Sequence, residues 1–409
     1  MNDTGRAVCA LINRSIFGGA PGAQPFFPGA QSPLWPSVLD ELTAHRIHSL
    51  PERLVTPETV ADGELRAKWL RLCEDDRIKV LRVMAMQQRV VRMFSEADIP
   101  FVVIKGSAAS VYYPQPFMRA MGDIDLLVKQ ADLDRAAKLL EDGGFSPYES
   151  EEAVSHHLSF IRDGVEVELH RRIGGVSPDN TALLALFERG IDERVNARLG
   201  SFSFPMLPPM LNGLCLLIHI NQHLRVGIGL RQIVDWMMFA SSELDQETFS
   251  KSFRPLAASL GMERFAVAVT AMCKKYLGLG SCFDTSSADE TVVDELAEYI
   301  MNKGNFGHKT GSRGRVASAA LRGASNPFGL IKLLQKGGLS RWKAAKKHPI
   351  LRPFAWIYQL RCSMRELKKN RVSSKEMRLL RRDGLRQRRL IEELGLDIDN
   401  KLHSPPEGE

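Results

Sequence analysis

Long apolar runs, paired cysteines and internal repeats are all missing from this chain of 409 residues. Because no stretch of about 18 consecutive apolar residues occurs, a membrane-spanning helix is excluded. The longest apolar windows, around 214–220 and 233–240, are interrupted by His219 and Asp235 and read as buried helices. The opening MNDTGRAVCALINRS has too short and too poorly flanked an apolar run to read as a signal peptide. The six cysteines (Cys9, Cys73, Cys215, Cys273, Cys282, Cys362) form no CxxC pair and no Cys/His cluster at zinc spacing. That scatter argues against a disulfide framework and predicts free thiols in a reduced, cytoplasmic chain. Apolar residues at 44% and charged residues at 25% are ordinary globular values, so a disordered chain is excluded as well.

Positive charge is present but unevenly spread. Residues 361–393 hold twelve Lys/Arg against five acids, so this one segment accounts for the whole formal excess of +7. It predicts a basic tail whose simplest form is a solvated amphipathic helix, with weak nucleic-acid or anionic membrane-surface contact as the alternatives. Trp342, Trp356 and Tyr358 lie upstream of the tail, so it offers no base-stacking array.

The pattern along the chain divides it into six parts. Residues 1–35 are rich in Gly, Pro and Ala after one short helical stretch and read as a flexible arm. Residues 36–98 are helical, with Ile78, Leu81, Met84, Ala85, Gln88, Val91 and Phe94 expected on one face. A small α/β core occupies 99–205. Phe101–Ile104 is a strand, and Gly106-Ser107 opens a helix that Pro114 and Pro116 break. Asp123–Val128 is a second strand, and 132–142 is a helix with Asp132 placed to cap it. The runs 155–161 and 165–170, joined by Arg162-Asp163-Gly164, carry a strong hairpin signal. A helical domain follows at 206–303, then a loop and helical segment at 304–360 and the tail at 361–409.

Asp123-Ile124-Asp125 places two carboxylates on one face of a strand. Such a pair repels itself unless a cation lies between, and Mg²⁺ suits it because its shell is completed by water and substrate phosphates. A third carboxylate on a neighbouring strand lets two ions be held. Glu168 is the candidate and Glu166 the reserve, since Glu166, Glu168 and His170 alternate on one face. Gly106 permits close backbone approach, and Ser107 adds a donor at a helix start. Lys105 and Arg119 flank the region and can counter phosphate charge. The carboxylate pair alone is weak, because 48 acids in 409 positions produce roughly five such spacings by chance. Its weight comes from the strand, Gly-Ser turn and second strand around it.

At this point a resemblance enters. Ile104-Lys105-Gly106, Tyr113, Arg119 and Gly122-Asp123-Ile124-Asp125-Leu126-Leu127-Val128 resemble the "LKG…Y…R…DIDLLV" signature of an uncharacterised bacterial nucleotidyltransferase family in the DNA polymerase β-like superfamily. Glu168-Leu169-His170 resembles its next block. His219, His223 and Arg231-Gln232-Ile233-Val234-Asp235 resemble a helical "H…H…LR…D" block. Phe306-Gly307 and the run Pro349 to Tyr358 resemble C-terminal blocks. The resemblance implies an α+β fold, with a small polymerase-β-like mixed sheet and flanking helices set in a mostly helical chain. It implies Asp123, Asp125 and Glu168 as metal ligands for two Mg²⁺ (or Mn²⁺) ions. The activity implied is transfer of a nucleoside monophosphate from an NTP to a protein, small-molecule or RNA acceptor. Nucleotide binding without turnover, and RNA binding through the tail, are the rival classes. His219 and His223 are expected as structural histidines, with metal binding at their four-residue spacing as the alternative. Arg231 and Asp235 are expected as an i,i+4 ion pair, with a substrate role for Arg231 if the helical domain closes over the site, and His156-His157 as strand surface, with nucleotide contact as the alternative. His170 is expected to orient Glu168, to face the base, or simply to pack.

Overall fold

In the computed structural model the described residues are 1–19, 26–148, 156–224, 227–280, 282–305, scattered positions in 331–348, then 349–369, 374–397 and Leu402. The expected Gly304–Asn326 loop and the Phe306-Gly307 block fall mainly outside them. The side chains of 366–381 in the basic tail also lie outside them.

The core is a seven-stranded mixed sheet in the order β3-β4-β5-β2-β1-β7-β6. Its strands are β1 (Phe101–Ile104), β2 (Asp123–Val128), β3 (Ser146–Pro147), β4 (His157–Arg162), β5 (Val165–His170), β6 (Val195–Leu199) and β7 (Phe202–Met206). Central β1 is apolar at every position and fully buried, as a strand covered on both faces must be. It runs antiparallel to β2 on one side and parallel to β7 on the other. The Asp163-Gly164 hairpin joins β4 and β5, with both turn residues at positive φ, the backbone a tight hairpin turn requires. The second hairpin, β6–β7, completes the sheet beyond β1 and turns at Gly200-Ser201, with Gly200 at φ +60°.

Helices surround this sheet: α1 (Asp3–Phe17), α2 (Trp35–Ala44), α3 (Gly63–Glu96), α4 (Gly106–Ser110), α5 (Leu133–Asp142), α6 (Thr181–Asp192), α7 (Pro209–His223) and α8 (Leu230–Glu243). Further helical pieces run from Gln246 to Leu277 and from Glu290 to Lys303. Within the segment expected to be an arm, α1 is capped by the Asn2 side chain and buries Ala7, Val8, Leu11 and Ile12. Asn13 of α1 donates to the Leu277 carbonyl, and Gly278, at φ +82°, lies where any Cβ would strike Asn13. Apolar burial therefore ties this segment into the body.

The buried stripe of α3 is Leu65, Trp69, Cys73, Val80, Val83, Met84, Gln87, Val90, Val91 and Phe94. Ile78 and Leu81, expected inside, face solvent at 52% and 44% exposure. Periodicity sets the 3.6-residue repeat, but its phase depends on what packs alongside. Asp132 holds the N-cap position of α5 without a capping hydrogen bond, because the preceding 3₁₀ turn gives it helical torsions. The Ser374–Glu393 helix of the basic tail is docked rather than wholly solvated. Leu390 and Ile391 are buried, Arg386 pairs with Glu298 at 2.9 Å, and Gln387 reaches Tyr299 at 2.7 Å. Beyond it, Leu402 bonds with Gly175 and Ser177. All six cysteines are free, and no helix among the described residues is long and apolar enough to cross a membrane.

Candidate active site

The strand register assembles the acidic side chains. On β5, Val165, Val167 and Leu169 turn into the core, which sends Glu166, Glu168 and His170 to the opposite face. On β2, Ile124 and Leu126 are buried, so Asp123 and Asp125 share the other face. The two strands run parallel with Asp123 opposite Glu166 and Asp125 opposite Glu168. A slip of one residue would bury the acids and expose the valines, so the apolar alternation itself holds the acids in register.

Asp123, Asp125 and Glu168 line a cavity of about 650 Å³ between the sheet and the helical part of the chain. Lys105, Gly106, Arg119, His156, His157, His219, His223 and Arg231 also line it, with Arg46 and Lys79 at its wall. Glu166 does not; its carboxylate is held by Ser159.

Asp125 is 4% exposed, and its Oδ1 accepts from Lys105 Nζ at 2.8 Å and contacts His170 Nε2 at 2.8 Å. The same His170 nitrogen is 3.1 Å from Glu168 Oε2, so one buried ring bridges both carboxylates. Burial opposes the charge of Asp125, yet Lys105 and His170 outweigh it and hold this carboxyl well below the usual range. Asp123 lacks such partners. Burial, then repulsion from Asp125 and Glu168, push it up to about 6. Lys105 sits at φ +53°, strained for a residue with a side chain, and this turn carries the chain from β1 into α4. Burial disfavours its ammonium, but Asp125 and Glu168 raise its pKa above the ordinary value. Among the histidines, burial and the neighbouring rings bring His156 down to about 2, and burial with Lys105 brings His223 to about 3.

Two flanking residues sit differently from the sequence expectation. Ser107 is buried and its hydroxyl donates to Gln87 Oε1 of α3 at 2.7 Å, so it is not open to the cavity. Arg119 has its guanidinium in a two-pronged pair with Asp235 of α8, both bonds at 2.7 Å, and Tyr113 donates to the same carboxylate at 2.7 Å. The expected Arg231–Asp235 pair is therefore replaced. Arg231 donates to the Ala120 carbonyl at 3.1 Å, while its buried Nε has no hydrogen-bond partner among the described residues. Burial and repulsion from Arg119 lower its pKa from the ordinary value. Expected as surface or structural residues, His156, His157, His219 and His223 all reach the cavity wall. The His-His doublet before the hairpin and the Glu-x-His alternation of β5 were the available signals; Arg46 and Lys79 had none.

A mixed sheet whose adjoining parallel strands turn three carboxylates into one cavity is an arrangement suited to handling cations and phosphates. A family model described as an uncharacterised nucleotidyltransferase matches residues 31–278, and the chain belongs to that family. No curated protein matches the chain. Among solved structures, an antigenic nucleotidyltransferase-like protein from Paracoccidioides brasiliensis aligns at 14% identity with a TM-score of 0.31, covering 50% of this chain and 93% of that one.

Proposed function

We propose that the chain transfers a nucleoside monophosphate from an NTP to an acceptor hydroxyl, releasing pyrophosphate. The observation that carries this reading is the register of β2 and β5, which puts Asp123, Asp125 and Glu168 on the wall of one cavity. At about 650 Å³ that cavity is in the range of ligand pockets. A divalent cation fits the donor set. Asp125 and Glu168 offer carboxylate oxygens within 4.8 Å of one another, and Asp123 lines the same cavity, its pKa raised by burial and then by repulsion from those two acids. When bound there, Mg²⁺ or Mn²⁺ supplies electrophilic activation and stabilises the charge of the departing pyrophosphate.

The chain's own groups supply the rest. Asp123, Asp125 and Glu168 would hold the cation, and Glu168 or Asp125 would accept the proton of the acceptor hydroxyl. Lys105 counters phosphate charge, and Gly106 lets the backbone approach the phosphates. Arg231 takes the part that sequence reasoning gave to Arg119, because Arg119 is committed to Asp235. The acceptor is a protein, small molecule or RNA. Incubation with labelled ATP, CTP, GTP and UTP, Mg²⁺ or Mn²⁺ and candidate acceptors tests the reading. It fails if the wild type transfers no label, or if Asp125→Ala transfers as much.

One contact favours a second reading, nucleotide binding without turnover. Lys105 Nζ rests 2.8 Å from Asp125 Oδ1, where an ammonium already neutralises a carboxylate needed for a metal. Metal-dependent NTP binding without pyrophosphate release selects that reading.

A further inference from the structure

The carboxylates have nitrogen neighbours that magnesium chemistry does not call for. Of the chain's ten histidines, four line the cavity and a fifth, His170, touches both Asp125 and Glu168. The sheet register builds the densest part of this group. His157 is the cross-strand partner of His170 in the β4–β5 hairpin, and His156 immediately precedes β4, its carbonyl accepting from Arg171. The ring centroids of His156 and His157 lie 5.6 and 5.0 Å from that of His170. Each of the three residues presents a ring nitrogen, and these nitrogens lie within 4.8 Å of one another.

These rings are poorly satisfied by the protein itself. His170 is fully buried, yet its Nδ1 has no hydrogen-bond partner among the described residues, and neither does the buried Nδ1 of His157. Each such buried orphan carries an uncompensated desolvation cost. Coordination would use these lone pairs. Around one tetrahedral ion, three imidazole nitrogens at about 2.0–2.1 Å sit roughly 3.4 Å apart, a modest contraction for two half-buried side chains. The carboxylates that contact His170 then do what carboxylates commonly do beside a metal-bound histidine, fixing its tautomer and orientation. Glu168 Oε2, 3.6 Å from His157 Nδ1, borders the cluster as a further oxygen donor.

Donor type decides which ion fits. Magnesium takes oxygen ligands, whereas imidazole suits borderline first-row ions. We propose that His156, His157 and His170 form a binding site for a transition-metal dication of the Co²⁺/Zn²⁺ class, beside the oxygen site of Asp123 and Asp125. The site stands on the imidazole cluster and does not depend on nucleotide transfer, so it can fail independently of that reading.

The test titrates the full-length, untagged, chelator-stripped chain with Co²⁺, without nucleotide, and reads visible absorption. The expected result is strong bands of a nitrogen-rich, low-coordinate Co²⁺ that saturate at a single equivalent, persist in excess Mg²⁺ and disappear on adding Zn²⁺. His157→Ala weakens Co²⁺ binding about tenfold or more while circular dichroism of the metal-free protein stays unchanged. His156→Gln, which keeps most of the side-chain volume, weakens it likewise and serves where His157→Ala fails to fold. Only the faint spectrum of an oxygen-ligated ion, displacement by Mg²⁺, or wild-type Co²⁺ affinity in a folded His157 or His156 variant overturns the site.

Discussion

Replacing Asp235 by alanine is expected to cost a large share of the protein's stability. Asp235 is 2% exposed and Arg119 6%, and three hydrogen bonds of 2.7 Å converge on the carboxylate. Two unit charges in contact gain about 4 kcal/mol at an effective dielectric near 20. Desolvating two ions costs several kcal/mol each, so the intact pair contributes little net stability. Removing only the acid is different. The Arg119 guanidinium stays buried without its counter-charge, next to Arg231, and the Tyr113 hydroxyl loses its acceptor. The expected loss is about 3–5 kcal/mol, a large part of a typical folding stability of about 5–15 kcal/mol. Denaturant titration followed by tryptophan fluorescence reads it directly, since Trp236 is adjacent in sequence and fully buried. The double variant Arg119→Met/Asp235→Leu recovers most of the loss, because it leaves no orphaned charge. A drop below about 1 kcal/mol for Asp235→Ala, or no recovery in the double variant, would refute the reasoning.

Three further outcomes follow from the same geometry. Ser107→Ala leaves nucleotide affinity at the wild-type level and lowers stability by about 1 kcal/mol, because its hydroxyl serves Gln87 rather than the cavity; isothermal titration with an NTP and a urea melt measure the two effects. Arg231→Met weakens NTP binding by about tenfold, the worth of one charge-assisted hydrogen bond, in the same titration. Gly213→Ala places a Cβ 2.1 Å from the Phe239 ring between α7 and α8 and costs about 1–3 kcal/mol by overpacking, visible as a lower melting midpoint.

Much of the core was legible before any coordinates. The β1-turn-α4-β2 unit and the β4–β5 hairpin lie where alternation, Gly106-Ser107 and Asp163-Gly164 put them. Helices α7 and α8 enclose the apolar windows at 214–220 and 233–240 that read as buried helices. The β6–β7 hairpin was missed, since Phe202–Met206 contains a proline and joins the sheet through a single parallel bridge, Val103 to Met206. A local pattern cannot announce a partner about 100 residues away.

The sequence by itself determined which acids share a face. A period of two, enforced by burying valines and leucines, leaves Asp123 with Asp125 and Glu168 with His170 no other side to occupy. Tertiary structure alone decided what those acids meet. Lys105 and His170 close on Asp125, Arg119 pairs with Asp235, Arg231 bonds the Ala120 carbonyl, and five histidines gather from two separate stretches of chain. Charge pairing in a buried site depends on three-dimensional proximity. Two arginines equally basic in sequence, Arg119 and Arg231, therefore end with different partners, the Asp235 carboxylate and the Ala120 carbonyl, through contacts that no spacing rule encodes.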